Sequence, residues 1–122
     1  MTMTDQAKTT AKTTCVYNPD DELLARIDPQ FLGALARWVY HRTPCGGFLT
    51  ACLSNDLSAA VCRADDRSIG QIRDIVILCF NYLPIRCYGS ADAVRRWCNE
   101  PNPYTAEFLD THYGWLKNWI DR

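Results

Sequence analysis

From Asp28 onward, apolar side chains return every three or four residues, and the polar residues between runs mark where each run stops. Phe31, Leu32, Leu35, Trp38 and Val39 share one face at helical spacing. Asp28 is placed to cap the free N–H groups of that helix, and Pro29 suits its first position, where no N–H partner is needed. Thr43 and Pro44 end it, because the residue before a proline is pushed out of the α region. After Gly46 and Gly47, the residues Phe48, Leu49, Cys52 and Leu53 predict a short helix. Asn55 and Asp56 break or re-cap the chain. Leu57, Ala60 and Val61 continue as another short helix that stops near Asp65 and Asp66.

The longest run covers about 68–83. Ile69, Ile72, Ile75, Val76, Cys79, Phe80 and Leu83 form a stripe that predicts the central core helix, ended by Pro84. Its β-branched content would also suit a strand at 75–80, but the sustained 3.6-residue period decides for a helix. Tyr88, Gly89 and Ser90 make a turn with Ser90 as the next cap. The helix at 91–98 turns Val94, Trp97 and Cys98 inward and Arg95 and Arg96 outward. Pro101, Asn102 and Pro103 form a stiff linker. A last amphipathic helix is expected over about 105–120, carrying Phe108, Leu109, Trp115, Leu116, Trp119 and Ile120, with Gly114 as a weak point inside it. The sum is an all-α fold, a compact bundle of five or six short helices.

Ahead of it, 1–14 repeats Ala-Lys-Thr-Thr and is expected to be a disordered leader, leaving 15–122 as a single helical domain. The 122 residues are the length of one domain. Thirteen basic residues against 14 acidic ones leave a net charge of −1, so there is no field to draw in nucleic acid or an anionic membrane. No apolar run is long enough to cross a bilayer, and 1–14 lacks the apolar core of a secretion signal. Seven cysteines is an odd count, and several sit inside apolar runs. They are expected to be reduced core residues of a cytosolic protein.

The candidate chemistry is sparse. Structural zinc sites bring close ligand pairs, and the nearest cysteines with that potential, Cys45 and Cys52, are too far apart in sequence. Cys45, just ahead of Gly46 and Gly47 and near His41, is the best candidate for a reactive thiol, although no third catalytic member is recognisable. The Gly46–Gly47 pair lacks the following Lys and Ser or Thr of a phosphate loop. The carboxylates at 20–22 and 65–66 read as helix starts and solvated turns. No catalytic residue, metal ligand or cofactor is expected. The helices at 57–64 and 68–83 could form a DNA-reading pair using Gln71 and Arg73, but Asp65, Asp66 and Asp74 surround these residues. The aromatic residues gather near the C-terminus. Phe108, Leu109, Leu116 and Trp119 are expected in the core. Tyr113 and Trp115, with Tyr104, Arg95 and Arg96, are expected to contact a partner, because such residues dominate binding surfaces.

The middle of the chain carries a further signal. Gly46 to Val61 reads GGFLTACLSNDLSAAV and is followed by Arg63, Ala64, Asp65 and Asp66. Ile75, Val76, Asn81 to Pro84, Tyr88 to Ser90, Val94 and Trp97 come later. Over about 28–98 this resembles a group of small uncharacterised proteins encoded in phages, prophages and other bacterial mobile elements. The resemblance implies a setting and transfers no catalytic residue. Small phage proteins of this kind often bind host proteins and block them, and inhibitors of CRISPR–Cas complexes are one such class. The expectation is therefore a non-enzymatic protein-binding protein. Its partner would be a host protein or nucleoprotein complex, or a second copy of itself through the aromatic tail. The alternative is a small DNA-associated regulator.

Overall fold

The computed structural model describes residues 18–120, so the expected leader at 1–14 lies outside the described residues. Among the described residues there are seven α-helices and no strand: α1 (Asp21–Ala25), α2 (Pro29–His41), α3 (Gly47–Leu53), α4 (Leu57–Arg63), α5 (Ile72–Tyr82), α6 (Ala91–Asn99) and α7 (Ala106–Tyr113). Short 3₁₀ turns precede α5 (Ile69–Gln71), follow it (Ile85–Cys87) and complete the chain after α7 (Gly114–Trp119). The all-α expectation holds. The apolar pattern did not predict the short α1, although the carboxylates at 20–22 read as a helix start. Its buried Leu23, with Ile27 beyond it, adds to the core, while Asp21 and Glu22 stand exposed in its first turn.

Four of the described helices, α2, α4, α6 and α7, begin where a local side chain accepts a free N–H group. Asp28 accepts from Gln30 N–H at 2.9 Å, Asp56 from Ala59 at 3.1 Å, Ser90 from Ala93 at 3.0 Å and Thr105 from Phe108 at 3.0 Å. The end of α2 is made by Arg42 in the left-handed region (φ 54°), with Arg42 N–H and Thr43 N–H bonding back to the Trp38 and Arg37 carbonyls.

The core is built around α2, whose Leu32, Leu35, Ala36, Trp38 and Val39 are almost fully buried. Ile75, Leu78 and Cys79 from α5, Leu49 and Leu53 from α3, Trp97 from α6 and Leu109 and Leu116 from the C-terminal segment complete it. Two indoles tie the elements together. Trp38 Nε1 donates to the Cys87 carbonyl at 3.0 Å, and Trp97 Nε1 donates to the Trp38 carbonyl at 2.8 Å. The 114–119 segment lies against α2, where Arg37 donates to the Ile120 carbonyl at 3.0 Å and Tyr40 donates to Asp110 at 3.1 Å.

Three expectations are corrected. The last helix does not run unbroken to 120. It tightens at Gly114 from α to 3₁₀ winding, about 120° per residue in place of about 100°. This change helps to bring Leu116 into the core. Phe108, expected inside, is 38% exposed. The stripe on α5 is also split. Ile75, Cys79 and Leu83 face the core, joined by Leu78, but Ile69, Val76 and Phe80 do not; Phe80 is 70% exposed. One helix presents only part of its circumference to the core, and an apolar arc this wide cannot be covered by the contacts α5 makes.

Candidate functional site

The first candidate surface lies where α6 meets the chain on either side of it. Ser90 starts α6, and Asp92 in its first turn pairs with both arginines of the next turn, with Arg95 and with Arg96 (2.8 Å). Arg96 also lines an open cleft of about 350 Å³, together with Arg86 from the 85–87 turn, Ala93 and Trp97 from α6, and Glu100, Pro101 and Pro103 beyond it. The backbone beside the cleft is held by Arg42, whose guanidinium donates to the Glu100 carbonyl. Trp97 is buried and forms the inner wall of the cleft, while Arg86, Arg96 and Glu100 are exposed.

An aromatic ladder runs from this wall. Tyr104 packs on Trp97 with ring centres 5.9 Å apart and stacks nearly parallel on Phe108 at 4.9 Å, and Phe108 meets His112 at 4.3 Å. Of the expected contact residues, Arg96 and Tyr104 are thus joined through Trp97. Arg95 is on the exposed face of α6, bound to Asp92. Tyr113 and Trp115 sit differently. Both are half-buried against the core, and the Trp115 indole N–H is enclosed without an acceptor. Burial also pushes the Tyr113 hydroxyl above its ordinary pKa. The residues that the sequence reading missed are Arg86 and Phe108. Arg86, three residues after the end of the α5 stripe, carried no pattern of its own.

The second candidate surface is the outer face of α4 and α5. Leu57 (68% exposed) and Val61 from α4 stand with Ile69, Val76 and Phe80 at the solvent boundary. Between them run two hollows of about 170 and 160 Å³ that share Cys52, Asn55 and Val76, and so form one groove. The sequence signal was the excess width of the apolar arc. Of the residues proposed to read DNA from this region, Gln71 is engaged within the fold, while Arg73 stays mostly exposed. The Gln71 side chain accepts from Asp28 N–H at 2.6 Å and donates to the Arg67 carbonyl at 3.3 Å. Arg73 pairs with Asp74 at 3.5 Å, and Asp74 is also held by Arg26 at 3.1 Å.

The thiols are the remaining candidate chemistry. Cys45 Sγ lies 3.7 Å from the Ala34 carbonyl, and burial pushes its pKa up to about 12 against the opposing pull of Arg37. Burial likewise raises Cys52 to about 11 and holds Cys79 and Cys87 well above the ordinary thiol value. A thiol shifted upward by burial is a poor nucleophile at neutral pH, whatever its place near a helix start. Among the described residues, no three His, Cys, Asp or Glu side chains converge in a way that could hold a metal ion. No described helix is long and apolar enough to cross a membrane.

No protein-family model, curated protein or solved structure matches the chain.

Proposed function

We propose that the protein acts without catalysis, by binding another protein through the cleft between the 85–87 turn, α6 and the Pro101–Pro103 segment. The observation that carries this reading is the cleft itself, where exposed Arg86 and Arg96 flank the buried Trp97 wall. Two arginines suit a partner's carboxylates, Glu100 suits a basic side chain, and the Trp97 and proline walls suit apolar stems. The Tyr104–Phe108 stack extends the contact beyond the cleft. Arg95, on the exposed face of α6, and Tyr113, whose ring lies 6.4 Å from that of Phe108, belong to its periphery.

The phage-like order of residues over 28–98 supports a setting in which the partner is a host protein. An inhibitor of a host defence assembly, such as a CRISPR–Cas complex, fits that setting by analogy. The tied-down Gln71 and the balanced charge favour a protein partner over DNA.

The test is capture of partners from a bacterial lysate by the tagged protein, with and without nuclease, beside Arg86→Ala and Arg96→Ala. A stoichiometric protein retained after nuclease and lost with either substitution is the expected result. A partner that vanishes with nuclease, or that binds both variants unchanged, removes this reading of the cleft.

A further inference from the structure

We propose that the cleft beside α6 recognises a single acidic side chain of a protein partner, whose carboxylate engages Arg86 and Arg96 together and displaces Asp92, the internal counter-ion of Arg96. This rests on the partner-binding reading of the same cleft and adds the chemistry of the contact.

Charge is placed unevenly here. Arg86, Arg96 and Glu100 line the cleft. Arg95 shares Asp92 with Arg96, and Arg42 holds the Glu100 carbonyl. These four arginines and two carboxylates leave a local charge of +2, in a chain whose net charge is −1. A local excess of this sign draws in a carboxylate.

The two arginines of the cleft also have bonding capacity to spare. Among the described residues, Arg86 has no hydrogen-bond or ion-pair partner. Arg96 has one carboxylate and divides it with Arg95: Asp92 Oδ2 lies 2.8 Å from Arg96 Nη2, while Asp92 Oδ1 goes to Arg95. A guanidinium carries its N–H donors in a planar fork, and a carboxylate accepts from such a fork through both oxygens.

The pair that must open is a weak one. The Arg96 and Asp92 side chains are 63% and 47% exposed, and ion pairs so well solvated contribute little. A carboxylate that gains Arg86 as well as Arg96 replaces Asp92 at small cost, and Asp92 keeps Arg95.

The cleft also limits what enters. Its volume of about 350 Å³ suits a few side chains, and the Trp97, Pro101 and Pro103 walls suit the methylene stem of an acidic residue. Glu100 lines the same space, so a second negative group beside the first meets a like charge. An isolated aspartate or glutamate fits better than a polyacidic run or a nucleic-acid backbone.

The deciding experiment is an NMR titration of the full chain, followed at the arginine Nε–H and tryptophan indole N–H signals. The probes are two end-capped peptides, Gly-Ala-Glu-Ala-Gly and its counterpart with glutamine at the centre. The glutamate peptide is expected to shift Arg86, Arg96 and Trp97 with a Kd on the order of 1 mM, and the glutamine peptide to bind at least about tenfold more weakly. Arg86→Ala and Arg96→Ala should each weaken the glutamate peptide several-fold. Asp92→Asn should tighten it at least about twofold, and that gain should vanish in the Arg96→Ala background. Circular dichroism checks that α6 survives Asp92→Asn, and the comparison of the two peptides on the wild type does not depend on that variant. Equal binding of the two peptides overturns the proposal. So does an Asp92→Asn variant that binds no tighter, or a gain that persists without Arg96. If a captured partner is still lost with Arg86→Ala while the glutamate peptide does not bind, the cleft remains a docking site and this chemistry is wrong. If the glutamate peptide binds as expected and no partner is captured, the chemistry stands and the partner-binding reading falls.

Discussion

The indole N–H of Trp97 donates to the main-chain carbonyl of Trp38 at 2.8 Å, inside the core and 59 positions away in sequence. That carbonyl lies in the last turn of α2 and also accepts from Arg42 N–H at 3.0 Å. Trp38 in turn donates to the Cys87 carbonyl. One chain of bonds therefore fixes α6, the end of α2 and the 85–87 turn relative to one another. These are the elements that carry Arg96 and Arg86 to the two sides of the cleft.

Loss of that chain is expected to cost stability and to loosen the cleft together. Trp97→Phe removes one donor to a carbonyl that keeps its Arg42 bond, and should cost about 1–2 kcal/mol plus a packing loss. Trp38→Phe strands the buried Cys87 carbonyl and leaves a void, and should cost about 2–4 kcal/mol. Urea denaturation of the two variants measures both. If Trp38→Phe is the milder change, the relay does not hold the structure as described.

The two faces of α5 should respond oppositely to truncation. Leu78→Ala creates a cavity at a fully buried position and is expected to destabilise by about 2–5 kcal/mol. Phe80→Ala removes a mostly exposed ring and should change stability by under about 0.5 kcal/mol. Thermal denaturation separates the two. A large loss from Phe80→Ala would place that ring in the core.

Gly114 sits at φ −58°, an ordinary helical angle, and a Cβ added there meets nothing within 4 Å. Gly114→Ala should therefore stabilise the protein by about 0.5–1 kcal/mol, chiefly by restricting the unfolded chain. A rise of a few degrees in Tm is the expected reading. A fall would show that the change of winding needs glycine.

Buried thiols give the protein an alkaline limit. Cys45 titrates near 12 in the folded chain and near the ordinary thiol value when unfolded. Its contribution to stability is complete below about pH 8.5, the unfolded value, and is lost as pH rises towards 12, by up to about 1.4 kcal/mol per pH unit. Chemical denaturation between pH 8 and pH 11 should show falling stability, with a shallower slope in Cys45→Ala. At pH 8 Cys45 is therefore held almost wholly as the protonated thiol. A thiol reagent should therefore modify exposed Cys62 at once and Cys45, Cys79 and Cys87 on unfolding. Rapid native labelling of Cys45 would reopen its case as a reactive residue.

Much of the fold was legible from the chain because helix starts and stops are local events. Asp28, Asp56, Ser90 and Thr105 each bond to a backbone N–H two or three residues ahead, and Pro44 and Pro84 act on their immediate neighbours. None of these signals depends on what the helix later packs against. Residue order by itself thus determined the helical class, the position of α2 through α6 and the outward direction of Arg95 and Arg96.

The tertiary structure decided which apolar residues became core. On α5, residues four apart had equal claim to burial, and packing against the rest of the core covered Ile75 and Cys79 while leaving Val76 and Phe80 in solvent. After α7, the tightened winding at Gly114 brought Leu116 into the core, while Phe108 stayed partly exposed. The meeting of Arg86 with Arg96 was also invisible in advance, because it depends on a turn and a helix held together by the Trp97–Trp38–Cys87 bonds. Hydrophobic burial has no direction of its own, so a stripe wider than its partner can cover must be divided by whatever packs against it.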